Sequence, residues 1–344
     1  MPPFPEPKPH MNYSLAKAKK EIDDWYKHRG VPKAKKGKLL LASWNVANLG
    51  DQKRSAKDLK LVAHVMKRFE LIAVQEIKTN YKHFATVVEE MGPKFDWIMN
   101  DPAGNSERLG FIYRKDKVTP GRLFGEIAYP AKDFPKLNVV VPYRKGGKDR
   151  VEVYYQLRFT PFDRSPFVAT FSAGEFHCTL ASVHLYFGAF RNSTSQMERA
   201  KYARRVLEIY ALGKWAKKRA KSKSTYDPNI ILLGDMNVPH MEAGDSAFEA
   251  LKASGLKPLK NHGKTGGSNL GGTKTYDQMA ITPGAIQDRM LDFDVFDFDN
   301  GLFRTKWDEL SQNLSNKKAV IKFNSYVRFH VSDHRPIWMQ LDIT

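Results

Sequence analysis

Residues 229–237 read NIILLGDMN: four consecutive aliphatic residues, a glycine, then a carboxylate and an amide on either side of a methionine. A short apolar run bounded by turn-forming residues reads as a strand buried on both faces. A strand that ends on Asp-x-Asn delivers two polar side chains, Asp235 and Asn237, to one sheet edge. The pattern recurs along the chain. LLLASWNV carries Asn45, ELIAVQE ends on Glu76, FHCTLASVHL carries His184, and SDH, with Asp333 and His334, immediately precedes PIWMQLDI. A sixth cluster, TYDQM with Asp277, follows the glycine-rich stretch NHGKTGGSNLGG.

Further strand candidates are LGFIYR, EVYYQLRF and FVATFSA. Between them lie helical patterns, one from Lys57 to Phe69 with Leu59, Val62, Met66 and Phe69 at helical spacing, and a long one from about Ser195 to Lys217. Strands alternating with helices predict a mixed α/β domain. Residues 1–37 differ: a proline-rich start, a helix-compatible YSLAKAKKEIDDWYKHRG, and a lysine run, VPKAKKGK, that reads as a linker. The expected organisation is a basic N-terminal extension over 1–37, with a helix and linker, followed by one catalytic domain over 38–344.

The chain has 344 residues and a formal charge of +19, from 56 lysines and arginines against 37 acids, which favours a polyanionic partner through phosphate neutralisation. Its one cysteine, Cys178, excludes a disulfide within the chain. No stretch approaches the roughly 18 consecutive apolar residues of a membrane helix, and MPPFPEPKPHM lacks the apolar run of a secretory signal. We expect no membrane span, a monomer, and the cytoplasm in preference to an oxidising compartment.

Taken singly, Asn45 or Asp235 reads as a turn cap, His184 as a satisfied histidine, and Glu76 as the partner of a nearby lysine. Together, five apolar strands delivering Asn, Glu, His, Asp-x-Asn and Asp-His have no common structural need. Phosphodiester hydrolysis needs such a set. The hard oxygens of Glu76, Asp235, Asn45, Asn237 and Asp333 suit Mg²⁺ or Mn²⁺, and would accept Ca²⁺ as a structural ion. His184 and His334 can divide the proton work, each oriented by a carboxylate.

SWNVANLG, QEIK, SVHL, GDMNVPH, TYDQ and SDHRP, in that order over about residues 38–344, resemble the motifs of the endonuclease/exonuclease/phosphatase superfamily, which includes the deoxyribonuclease-I-like nucleases. The resemblance implies a four-layer α/β-sandwich: two packed, mostly antiparallel sheets flanked by helices, with the site at one edge. By motif it makes Glu76 the principal metal ligand. Asn45, Asp235, Asn237 and Asp333 complete the ligand and phosphate-orienting set. It implies that His334, partnered by Asp277, activates water or contacts phosphate. His184, partnered by Glu107, becomes the proton donor to the leaving group, and Arg164 a phosphate contact. Lys78 stands where deoxyribonucleases carry arginine, as a further phosphate contact. Histidine at 184, where AP endonucleases use tyrosine, favours the deoxyribonuclease-like branch.

The expected function is a metal-dependent endonuclease on DNA rather than RNA, with low sequence specificity and 5′-phosphate products. Two alternatives are a phosphoesterase of the same fold acting on phosphoinositide or sphingomyelin, and a catalytically silent nucleic-acid-binding homologue. Three segments bear on substrate. KLNVVVPYRKGGKDRVEVYYQL reads as a hairpin whose Gly146-Gly147 turn carries Arg144, Lys145, Lys148 and Arg150. Arg199–Lys223 offers a basic helix back, solvated or binding, and the glycine-rich stretch before Thr273 a mobile loop or connector. His240 reads as a solvated loop residue.

Overall fold

Side chains in the apolar run Leu39–Trp44 divide by parity, as a pleated strand requires. Leu39 and Leu41 enter a core shared by two sheets, whereas Leu40, Ala42 and Trp44 pack beneath helices. Ile231 and Leu233 likewise face that inner core, while Ile230 and Leu232 face the helices on the opposite side. Strands apolar on both faces therefore specify two central layers and two outer ones.

The computed structural model describes residues 2–145, 149–187, 195–253, 255–259 and 266–344, with the backbone alone for 142–145 and 149–152. Helix α1 (Leu15–His28) precedes β1 (Lys38–Leu49), α2 (Ala56–Met66), β2 (Leu71–Lys78), α3 (Lys82–Met91), β3 (Phe95–Met99), β4 (Glu107–Arg114) and β5 (Thr119–Glu126). A hairpin of β6 (Lys136–Lys145) and β7 (Asp149–Arg158) leads to β8 (Phe167–Ala173), β9 (Phe176–His184), α4 (Gln196–Ala220) and β10 (Ile230–Asp235). Then follow α5 (Ser246–Ala253), β11 (Lys257–Pro258), β12 (Asp277–Ile281), α6 (Ala285–Arg289), β13 (Met290–Val295), α7 (Arg304–Asn313), α8 (Asn316–His330) and β14 (Ile337–Asp342).

One sheet is ordered β13-β14-β1-β2-β4-β3 and the other β11-β12-β10-β9-β8-β5. Each contains a single parallel pair, β1 with β2 and β9 with β10, among antiparallel neighbours. The parallel pairs are connected through α2 and α4, so both carboxyl ends of each pair emerge at the same edge. Gln75 Nε2, from β2, donates to Ser182 Oγ of β9 at 3.1 Å, a polar tie between the sheets near that edge.

The basic stretch Arg199–Lys223, read as a helix back either solvated or binding, is partly covered by the hairpin. Leu137, Val139, Val141 and Leu157 of the hairpin share a core with Tyr202, Val206, Ile209 and Leu212 of α4, which also touches its sheet at β10. Arg199 and Arg205 are buried, and Lys214, Lys217, Lys218 and Arg219 near its carboxyl end are exposed. The hairpin turn at 146–148 and the side chains of Arg144, Lys145 and Arg150 lie outside the described residues. Among the described residues, no helix is long and apolar enough to cross a membrane.

Helix α1 packs onto the first sheet's helical layer. Ile22 and Tyr26 are buried there, with the Tyr26 ring stacked on Phe296 at 3.9 Å between centroids and its hydroxyl donating to Val65 O at 2.7 Å. Glu21 Oε2 accepts from Phe303 N at 2.8 Å, capping α7, whose own N-cap side chain makes no such bond. Ile22→Ala should lower the unfolding free energy by about 2–5 kcal/mol in a urea titration with a single transition. An early, separate transition in the wild type would instead make α1 an independent unit.

Candidate active site

The carboxyl ends of the two parallel pairs meet at one edge. Asn45 leaves β1 beside Gln75 of β2, and Asp235 of β10 pairs in register with His184 of β9 on one side and Asp277 of β12 on the other. Gly234 permits this closeness: its φ is +138°, and a Cβ there would stand 2.1 Å from Val183 O of β9. Glu76 has φ of +60°, where the register of β2 shifts between Val74 and Ile77. A non-glycine residue in that region is strained by about 1–3 kcal/mol, and the Glu76 side chain reaches towards the second sheet, with Oε1 4.0 Å from His184 Nε2 of β9.

Asn45 Nδ2 lies 3.0 Å from Glu76 Oε1 and 3.0 Å from Asp235 Oδ2, joining carboxylates from the two sheets through one amide. The other Glu76 oxygen accepts from Asn48 N at 2.8 Å. Two imidazoles flank Asp235. His184 has Nδ1 2.8 Å from Glu107 Oε2 and Nε2 3.6 Å from Asp235 Oδ2. His334 has Nδ1 2.8 Å from Asp277 Oδ2 and Nε2 3.8 Å from the same Asp235 oxygen. Asn45, Glu76, Asp235, His184, Glu107, His334 and Asp277 are all buried.

Charge is balanced unevenly across the edge. Burial alone would raise Glu107, but His184, Arg164 and Lys78 hold it far below the usual carboxylate range. Burial likewise works against Asp235, which His334 and His184 pull down. Asp277 and Asp333 are raised, by burial first, with Asp235 adding to both and Glu76 to Asp333. Burial opposes the His334 imidazolium, yet Asp277, Asp235 and Asp333 keep it protonated well above the usual histidine range.

These residues fit a divalent cation. Asn45 Oδ1 and Asp333 Oδ1 are buried without a hydrogen-bond partner, close to the Glu76 and Asp235 carboxylates, and an oxygen-binding cation would satisfy them. Asp235, Asp277 and His334 also form a buried group whose donor atoms lie within 4.8 Å of one another. The Asp277–His334 contact within that group is a hydrogen bond, which leaves Glu76, Asn45, Asp235 and Asp333 as the oxygen-rich side.

Arg164 is a buried brace: Nε and Nη2 donate to His184 O and Leu185 O, each at 2.7 Å, and Nε lies 3.7 Å from Glu107 Oε2. Lys78 Nζ donates to Glu107 Oε1 at 2.9 Å. Asn237, with φ of +54°, donates through Nδ2 to Leu185 O at 2.9 Å. The described part of the glycine-rich loop is tied to the site: Ser268 Oγ accepts from Asp277 N at 2.9 Å, and Leu270 N donates to Asp333 O at 3.0 Å. Residues 261–265 lie outside the described residues. His240 is half-buried, its Nε2 2.9 Å from Lys274 Nζ, rather than a solvated loop residue.

No family model matches the chain. A deoxyribonuclease from Thioalkalivibrio sp. (strain K90mix) is 27% identical over 243 residues, 68% of this chain and 55% of that protein. The chain thus spans about half the length of this curated relative. Among solved structures, D. rerio TDP2 humanized by 14 mutations superposes with a TM-score of 0.52 at 13% identity, covering 88% of this chain and 98% of the other. An endonuclease/exonuclease/phosphatase family protein from Bacteroides thetaiotaomicron gives 0.48 at 15% identity, over 88% and 94%. The chain has the endonuclease/exonuclease/phosphatase fold.

Within that fold, sequence patterning missed several residues that build the edge. Ser332 Oγ donates to Asn45 O at 2.8 Å, and Trp44 Nε1 to His334 O at 2.8 Å, so β1 is fastened to the loop before β14. Arg54 Nη2 donates to Ala47 O and Val331 O at 2.8 and 2.7 Å, spanning the same two segments. The signal available was position alone, since each lies within a few residues of a strand-end polar group.

Glu107→Gln tests the charge balance of this edge. Folded Glu107 titrates below its unfolded value, so its contribution is present above the unfolded value and lost as pH falls through the folded one. At pH 7 the variant should be less stable by about 3–5 kcal/mol in guanidinium titration, the usual result of leaving buried cations unpaired. The gap should narrow steadily below roughly pH 4.3. A gap independent of pH would assign the loss to packing.

Proposed function

We propose that this chain is a divalent-metal-dependent phosphodiesterase acting on the nucleic-acid backbone, an endonuclease that prefers DNA to RNA and leaves 5′-phosphate ends. The observation that carries this reading is the pair of imidazole–carboxylate couples that both bring Nε2 close to Asp235 Oδ2, at 3.6 and 3.8 Å. One imidazole on each side of a reacting phosphorus is what in-line displacement needs, with a proton managed at the attacking and at the departing oxygen. The Thioalkalivibrio relative's name, deoxyribonuclease, supports DNA. The charge of +19 supports a polyanion.

Glu76, Asn45, Asp235, Asn237 and Asp333 would hold the cation, which supplies neutralisation of a non-bridging phosphate oxygen. His184, fixed in tautomer by Glu107, donates a proton to the departing 3′-oxygen. His334, oriented by Asp277, orients the attacking water or contacts the phosphate. Arg164 and Lys78 hold Glu107, and thereby His184, from behind. Base identity is not read by contacts of this kind, so cleavage has weak sequence preference.

The test incubates wild type, Glu76→Ala and His184→Ala with supercoiled plasmid and labelled RNA, in Mg²⁺ or Mn²⁺ and in EDTA. Nicking should require metal, disappear in Glu76→Ala and fall by roughly 10²–10⁴ in His184→Ala. Wild type that cuts neither polymer with metal present, but releases phosphate from a phosphoinositide or cleaves sphingomyelin, would replace the substrate assignment.

A further inference from the structure

Glu76 depends on a chain of hydrogen bonds that leads out of the site to the proline-rich arm. Its Oε2 accepts from Asn48 N at 2.8 Å. Asn48, with φ of +52°, opens a tight turn in which Asp51 N and Gln52 N both donate to its carbonyl, at 3.0 and 2.9 Å. Gly50 belongs in that turn: a Cβ there would meet Asn80 O at 2.2 Å. Gln52 is fully buried, and its amide makes a two-way bond with the arm: Phe4 N donates to Oε1 at 2.7 Å, and Nε2 donates to Phe4 O at 3.2 Å. Asn48 Nδ2 adds a longer bond, 3.4 Å, to Pro2 O.

The arm is anchored along its length. Arg328 sits over the Phe4 ring with its guanidinium carbon 5.0 Å from the centroid, and Tyr326 Oη donates to Pro9 O at 2.6 Å. Met11 is buried in the helical core. Tyr13 Oη donates to Asp58 Oδ1 at 2.8 Å, and the same oxygen lies 2.9 Å from His330 Nδ1. Five of residues 2–9 are proline, so only Phe4, Glu6 and Lys8 in that stretch own a backbone N–H, and Phe4's goes to Gln52. Proline restricts the free arm to few conformations, which lowers the entropy lost on docking.

We propose that residues 2–13 are a strap that positions Glu76, with Gln52 as the positioning residue through which it acts. The strap grips Gln52 from outside, Gln52 and Asn48 close the turn, and the Asn48 amide fixes a carboxylate whose backbone is itself strained. Only the kinetic part of this proposal rests on the phosphodiesterase reading.

The test uses the whole chain with Gln52→Met, which keeps the volume of the side chain and removes both bonds to Phe4, and with Tyr13→Phe, which removes the hydroxyl bond to Asp58 at the far end of the strap without touching the turn. Amide hydrogen exchange at Asn48 is measured without metal, together with calorimetric Mn²⁺ titration and kcat and KM on plasmid. In Gln52→Met, Asn48 should exchange faster while the sheets keep their protection, Mn²⁺ should bind more weakly, and kcat should drop roughly tenfold with KM little changed. Tyr13→Phe should shift all three the same way by less, and it decides the matter if Gln52→Met does not fold. Unchanged exchange at Asn48, or faster exchange across the whole chain with kcat intact, would overturn the strap. If wild type cuts no phosphodiester, the functional reading fails, and exchange and Mn²⁺ binding still decide the strap.

Discussion

One side-chain amide holds the site together. Asn45 Nδ2 lies 3.0 Å from a carboxylate oxygen of each sheet, Glu76 of the first and Asp235 of the second. Two buried carboxylates brought this near repel, and each also loses hydration, so the arrangement persists only if donors and cations surround it. The surroundings supply them. Asn48 N serves the far oxygen of Glu76, Asn237 N donates to Asp235 Oδ1 at 2.9 Å, and the Nε2 atoms of His184 and His334 lie near Asp235 Oδ2. The strand ends, the glycine at 234 and the bulge at Glu76 all serve this convergence.

The architecture explains why the polar groups fall where they do. Each sheet has one parallel pair, and a parallel pair sends both carboxyl ends to the same edge. Two packed sheets with aligned parallel pairs therefore bring four strand ends together, here β1, β2, β9 and β10. The antiparallel neighbours β12 and β14 enter from the opposite direction, so residues at their beginnings, Asp277 and the loop with Asp333 and His334, arrive at that same edge.

Patterning made the central strands legible, because strands buried on both faces are apolar runs ended by a polar residue. The outer strands were harder to read. β3 is short and mostly half-buried, β5 carries Pro120, Gly121 and Gly125 and is largely exposed, and β13 alternates carboxylates with apolar residues. None gives the continuous apolar signal that marked β10. The strand-end polar residues could be gathered from sequence, whereas the ties that orient them could not. The φ of Glu76, the turn from Asn48 to Gln52 and the Arg54 brace are long-range consequences of packing. Helix α4 could be read only as a basic face open to solvent or to a ligand; that the hairpin β6–β7 packs against part of it was not in its own sequence.

The chain as a whole is strongly positive, at +19, yet the edge where the strands converge gathers Glu76, Glu107, Asp235, Asp277 and Asp333. A polyanion drawn in by the long-range field would meet carboxylates at the last few ångströms. Glu107 and Asp277 are each neutralised locally, by Lys78 with Arg164 and by His334. Glu76, Asp235 and Asp333 have no lysine in hydrogen-bond contact among the described residues, and Arg54, the arginine neighbour of Glu76 and Asp333, spends its Nη2 on two carbonyls. The same residues that would repel a phosphate group are thus the ones that would hold a divalent cation.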